Sequence, residues 1–317
     1  MQFTTKIPVQ KSTFPIDYDS KVMLLGSCFA ENMGEKFAYF KFQATTNPFG
    51  IVFTAVSLEK LIRRSVENRK FTESDIFFHN DLWHCYEVHS ELSNSDKDSF
   101  LESLNDIIRS TNKQLNDSTH IIITLGTSWV YRNIESKEIV ANCHKVPQKQ
   151  FTKELLSIHQ TEESLQSIIS LIHSVNPNCN FIFTVSPVRH IKDGFTENTL
   201  SKAHLVAAIH KTITNHKSHI TYFPSYEIMM DELRDYRFYA EDMLHPNQTA
   251  IDYIWIQFFE NYVSESVFGL MNEICSIQKG LQHRPFNPNT ESHQKFLNQL
   301  DLKIKAIKNQ YPFIKFC

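Results

Sequence analysis

Glycine is scarce in this chain. Seven glycines stand among 317 residues, about a third of what average usage would give. They are Gly26, Gly34, Gly50, Gly126, Gly194, Gly269 and Gly280, and a chain so sparing with glycine keeps it where the backbone requires it. Long apolar runs are also missing. The best of them, such as Ile121-Ile122-Ile123-Thr124-Leu125, fall far short of the roughly 20 residues that a membrane-spanning helix needs. No membrane association is expected. Neither charge sign dominates: Lys+Arg 32 stand against Asp+Glu 35, a formal net charge of -3, so the basic field that nucleic-acid binding requires is absent. The six cysteines (Cys28, Cys85, Cys143, Cys179, Cys275, Cys317) are scattered, with no C-x-x-C pair. That spacing fits neither a disulfide framework nor a zinc site, and reads as free thiols in a cytoplasmic protein. The first 21 residues carry no apolar stretch of the kind that marks a secretory signal. Neither G-x-G-x-x-G nor G-x-x-x-x-G-K occurs, so no cofactor is expected and no metal.

What is present is a strand–helix rhythm. Runs rich in Val, Ile, Leu and Phe at 22–25, 120–125, 180–185 and 219–223 lack clean alternation, as strands buried on both faces do. Helical patterns at 29–40, 100–115, 161–174, 201–215 and 247–259 lie between and after them. This repetition predicts an α/β fold with a parallel central sheet and helices on both faces, whose ligands bind at the carboxyl ends of the strands. Residues 76–92 interrupt the rhythm and read as a hairpin turning at Asn80-Asp81. Beyond about residue 262 the chain turns helical and polar, with a break near 283–294. The predicted organisation is thus one domain over 1–262, carrying the hairpin insertion, and a C-terminal helical extension over 263–317. The tail, and aromatics near Phe77, Phe78 and Trp83, allow a homodimer.

Chemistry-bearing residues gather at predicted strand ends. Gly26-Ser27 follows the first run, where a sharp strand-to-helix turn can present a serine hydroxyl beside free backbone N–H groups. Ser27 fits equally well as the N-cap of the following helix. Asp242 and His245 stand three apart in EDMLHPN, a spacing at which one loop can supply both a base and the carboxylate that fixes its tautomer; Pro246 is expected to open the next helix. Asn47-Pro48-Phe49-Gly50 reads as a turn able to expose an amide. Asn142-Cys143-His144-Lys145 is a polar loop that either lines the pocket or is simply solvated. Arg189, in the segment Ser186-Pro187-Val188-Arg189-His190, could bind an anionic or carbonyl group of substrate bidentately, or form a structural ion pair. Cys28 is a second candidate nucleophile, since a thiolate at a helix N-terminus is reactive.

Gly-Ser on the first strand, with Asp-x-x-His before the last helix, resembles the SGNH (GDSL-like) hydrolase superfamily. Gly26-Ser27-Cys28-Phe29-Ala30 is similar to the signature pentapeptide of the GSCFA-domain family within it. The resemblance runs from about residue 20 to about 260. It implies a three-layer α/β/α, flavodoxin-like fold, with Ser27 as nucleophile, His245 as base and Asp242 as its supporting acid. It further implies that Gly50 gives an oxyanion-hole N–H, together with the amides of Ser27 and Cys28, the Cys28 side chain turning into the helix–sheet packing. The third block of such hydrolases is Gly-x-Asn, but this chain has Gly126-Thr127-Ser128. Ser128 therefore replaces an amide donor, with Asn47 and Asn142 as alternatives. Loss of one oxyanion donor costs on the order of 10²–10³ in rate, so activity is itself in question. The expected function is hydrolysis of an acyl ester, an acetyl ester or glycan ester among the options. The alternatives are O-acyl transfer by the same residues, a non-catalytic carbohydrate- or acyl-binding module on a hydrolase scaffold, and a thiol enzyme using Cys28.

Overall fold

A computed structural model describes residues 4–215 and 219–316; Cys317 lies outside them, and the five other cysteines are free thiols. Five strands form the central sheet: β1 (Lys21–Gly26), β2 (Gln43–Thr46), β5 (His120–Leu125), β9 (Asn180–Val185) and β10 (Ile220–Phe223), in the order β10-β9-β5-β1-β2. All neighbouring pairs are parallel. Between them run α1 (Cys28–Tyr39), α2 (Ala55–Val66), the hairpin β3 (Phe77–His79) and β4 (Leu82–His84), and α3 (Lys97–Asp117). A three-stranded antiparallel ribbon, β6 (Trp129–Asn133), β7 (Ile139–Val140) and β8 (Phe151–Leu155), precedes α4 (Ile158–Val175), and α5 (Phe195–Asn215) links β9 to β10. After β10 come a one-turn α6 (Ser225–Glu227), a π-helical turn Ile228–Leu233, then α7 (Gln248–Tyr262), α8 (Phe268–Gln282) and α9 (Glu291–Gln310). No helix among the described residues is long and apolar enough to cross a membrane.

The continuous apolar runs are explained by the strands' two faces. Val22 and Leu24 of β1, Ile122 of β5 and Ile182 of β9 point to one core, which they share with α1, α7, α8 and α9. Met23, Leu25, Ile121, Ile123, Phe181 and Phe183 point to the other, against α2, α3, α4 and α5. Each such side chain contributes roughly 1.5–3 kcal/mol by leaving water, and successive residues of one strand serve opposite layers. This is the three-layer α/β/α arrangement expected. Local chemistry starts the helices: Asp96 accepts the Ser99 N–H at 2.7 Å, and Ser157 with Gln160 forms a capping box on α4.

The expected hairpin turns where anticipated, with Asn80 and Asp81 at φ +47° and +62°, as a type I′ turn demands. Four elements escape the sequence pattern. Strand β2 reads QATT, is only half-buried and sits at the sheet edge, so it lacks the apolar signature. Helix α2 and the ribbon strands β6 and β8 are the others. A smaller correction concerns Pro246: the cap of α7 is Asn247, whose side chain accepts the Ala250 N–H at 3.1 Å, so Pro246 precedes the helix.

Candidate active site

The five parallel strands end along one edge, and the motif residues follow from there. Ser27 leaves β1, the 47–50 turn leaves β2, Gly126 leaves β5 and Ser186 leaves β9. Connections diverge between neighbours β1 and β5, which makes this the switch point at which such sheets bind ligands.

The serine end is tightly packed. Gly26 has φ +136°, and a Cβ there would lie 2.1 Å from Thr124 O on the neighbouring strand, so only glycine lets the chain turn this close to β5. Ser27 is 2% exposed. Its N–H donates to Thr124 O at 3.1 Å, and its Oγ accepts the Phe29 N–H at 3.2 Å. Ser27 therefore does cap α1, and its own amide is occupied by the sheet. The Cys28 N–H, the first of the helix, has no acceptor among the described residues, as expected of an orphan donor in the opening turn. Burial and then the Glu31 carboxylate push the Cys28 thiol up, which disfavours the thiolate that a cysteine nucleophile needs.

Asn47, at φ +42°, ties β2 to β1: its Oδ1 accepts the Gly26 N–H at 2.8 Å, and its Nδ2 reaches Glu31 Oε1 at 3.4 Å. The Gly50 amide does not stand open as expected. It closes the turn on Asn47 O at 2.8 Å, with a left-handed φ of +72° and His89 so close that a Cβ would meet it at 2.4 Å. Ser128 departs further from expectation. It is fully buried, its Oγ donates to Ser201 O at 3.1 Å and its N–H to Ser201 Oγ at 2.7 Å, so both groups are clamped on α5. The Gly126 N–H goes to Phe53 O at 2.9 Å.

The 142–145 loop packs against the hairpin insertion. Asn142 Oδ1 accepts the His144 N–H at 2.8 Å, and buried His144 meets Cys85 O through Nε2 at 2.7 Å, its ring tilted against that of His84 at 4.7 Å between centroids. Burial pushes the His144 imidazole down to about 4, and its role is that of a neutral core histidine. Arg189 is also reassigned. Its guanidinium donates to Met243 O and lies 4.4 Å from the Tyr239 ring centroid, while the Arg189 N–H meets Leu244 O at 3.4 Å. It braces the Asp-x-x-His loop and forms no ion pair among the described residues.

That loop is self-organised. Asp242 Oδ1 accepts the N–H groups of Leu244 and His245 at 2.9 and 3.0 Å, and Asp242 Oδ2 meets His245 Nδ1 at 2.5 Å. Met243 between them is left-handed, at φ +59°, which swings both side chains to one side. The His245 and Leu244 amides, then the imidazole, hold the Asp242 carboxyl down at about 2. With Nδ1 engaged by a carboxylate, His245 Nε2 is free to accept a proton. Both side chains are nearly half exposed, at 48% for His245 and 44% for Asp242.

Two further residues at this edge were not singled out from the sequence. His190 follows Arg189; its ring packs 5.4 Å from Phe53, its buried Nε2 has no partner among the described residues, and burial, with Lys202 and His245 nearby, holds it down at about 4. Lys202, 1% exposed on α5, reaches the ends of β5 and β9. The signal was there: Lys202, Leu205 and Ile209 share one helical stripe, and a lysine in an apolar stripe is an anomaly. No cluster of three or more His, Cys, Asp or Glu among the described residues could hold a metal ion.

This architecture, a parallel α/β/α sheet with serine on the first strand and an Asp–His pair before the last sheet-packed helix, defines the class of the protein. The GSCFA family profile matches residues 21–258, so the chain belongs to the GSCFA family. A second profile, described as the GSCFA domain protein C-terminal domain, matches residues 274–316. No curated protein sequence matches. Among solved structures, the chain is similar to an acetyl xylan esterase (Est2A) from the rumen bacterium Butyrivibrio proteoclasticus, at 10% identity and a TM-score of 0.36. That match covers 88% of this chain and 66% of the esterase, just under two thirds.

Proposed function

We propose that this protein is a serine-dependent ester hydrolase acting on a small-molecule or glycan acyl ester. The observation that carries this reading is the Asp242–His245 pair at 2.5 Å, pre-set by its own loop at the edge where Ser27 leaves β1. Ser27 Oγ attacks the acyl carbonyl as His245 Nε2 takes its proton, and Asp242 stabilises the imidazolium. Collapse of the tetrahedral intermediate expels the alcohol, which leaves with the proton from His245. Water, activated by the same imidazole, then releases the acid. The Cys28 N–H, unpartnered at the start of α1, supports an oxyanion donor on the far side of Ser27. No hydrogen bond joins Ser27 Oγ to His245 among the described residues, and such contacts commonly tighten only when substrate arrives. A sugar hydroxyl in place of water would give acyl transfer by the same residues.

One set of observations favours a second reading, a carbohydrate- or acyl-binding module without turnover: the amides of Ser27, Gly50 and Gly126 and the Ser128 hydroxyl are all engaged. A fluorophosphonate probe with mass mapping, run beside hydrolysis of a short-chain aryl ester, separates the two. Labelling at Ser27, lost together with turnover in Ser27→Ala, supports the hydrolase. An unlabelled, inactive wild type that still binds acetylated sugars supports the module.

A further inference from the structure

Lys202 is the one lysine that the fold buries among the described residues, and the mechanism above does not use it. Its ammonium donates to Gly126 O at 2.8 Å and to Ser186 O at 2.7 Å, the first carbonyls beyond β5 and β9. It stands 5.5 Å from the Tyr226 ring centroid. No carboxylate pairs with it among the described residues. The residue before it, Ser201, takes the Ser128 N–H and bonds Thr127 Oγ1 at 2.8 Å. One dipeptide of α5 thus grips the whole third-block loop and the exit of β9.

Burying an ammonium without a counter-charge is costly, and burial pushes this one down to about 7. Such a group facing the ligand edge of a parallel sheet calls for a purpose. Carbonyl oxygens at strand ends carry partial negative charge, and near a forming oxyanion they would oppose it. We propose that Lys202 is a positioning residue of the Ser27 site: its ammonium holds the Gly126 and Ser186 carbonyl oxygens toward itself and away from the acyl oxygen, and places a buried positive charge behind the strand ends where negative charge develops. It offsets, from below the sheet edge, the asparagine donor that Gly126-Thr127-Ser128 lacks. This inference rests on the ester-hydrolase reading.

The test compares wild type with Lys202→Met, a neutral side chain of similar length, using aryl ester kinetics and the rate of fluorophosphonate labelling at Ser27. A fall of about 10²-fold in kcat and in labelling rate, with KM within about threefold, is expected of an interaction stronger in the transition state than in the ground state. A folded Lys202→Met whose kcat stays within threefold of wild type overturns the proposal. Should that variant not fold, wild type carrying ¹⁵N-labelled lysine decides. Its slowly exchanging Nζ resonance, identified by its loss in Lys202→Arg, must shift when Ser27 is phosphonylated, and an unmoved resonance overturns the proposal. A wild type that is neither labelled nor active removes the hydrolase reading first, and this inference with it.

Discussion

The two halves of the candidate site are built in opposite ways. The histidine half is local and exposed: within four residues, Asp242 to His245, three hydrogen bonds to one carboxylate and a left-handed Met243 set the geometry. The serine half is non-local and buried. Gly26 is pressed on β5, Asn47 reaches it from β2, and the third-block loop is held by α5, which begins some 70 residues later in the sequence. A paired carboxylate and imidazole can thus be pre-set by a short loop, whereas the buried corner of the proposed nucleophile needs the whole sheet.

The comparison predicts different failures in the two halves. Ser27→Ala should lower turnover at least 10³-fold and abolish phosphonate labelling, with about 1 kcal/mol of stability lost from the helix cap. Wild-type rates in that variant would move the chemistry elsewhere. Asp242→Asn should lower kcat by on the order of 10²–10⁴-fold, since it removes the group that fixes the imidazole, yet leave the melting temperature nearly unchanged because the loop is exposed. A large drop in Tm would show that the loop is structurally coupled after all. Gly26→Ala should do the reverse and cost about 2–4 kcal/mol in urea unfolding, because its Cβ has no room against Thr124 O.

Acid should also separate the halves. His144 and His190 are held at about 4 by burial, below the unfolded value of about 6.5. The unfolded state therefore binds more protons between those limits, and stability falls as pH drops from about 6.5 to about 4. Asp242 behaves as a depressed carboxylate: its contribution is complete above about 4 and is lost only below that. Tm measured from pH 7.5 to 4.5 should fall by roughly 5 °C or more, and a flat profile would contradict the burial of the two histidines. The smallest effect belongs to Ser128→Ala, whose hydroxyl faces α5. Its kcat should stay within threefold of wild type while stability falls by about 1 kcal/mol.

What was legible in the sequence follows the same division. Strands β5 and β9 appear at their full extent because burial on both faces writes an unbroken apolar run. The hairpin turn at Asn80-Asp81 and the Asp-x-x-His loop appear because their causes are adjacent residues. Strand β2 was invisible: an edge strand reading QATT owes its place to its partner, not its composition. The clamp on Ser128, the bracing role of Arg189 and the burial of His144 are all set by residues far away in sequence. A motif names which side chains share a corner; the hydrogen bonds that use up their donors come from the fold.

The two cores also differ in when they can be finished. The buried members of the layer under α2–α5 run from Met23 to Ile220. Those of the opposite layer extend to Leu300, Ile307 and Ile314, with Tyr311 5.6 Å from Tyr18 near the other end of the chain. As the polypeptide leaves the ribosome from its amino end, one side of the sheet has all its parts once β10 emerges. The side carrying α1, and with it the anchor of Ser27, stays unsealed until α9 is synthesised.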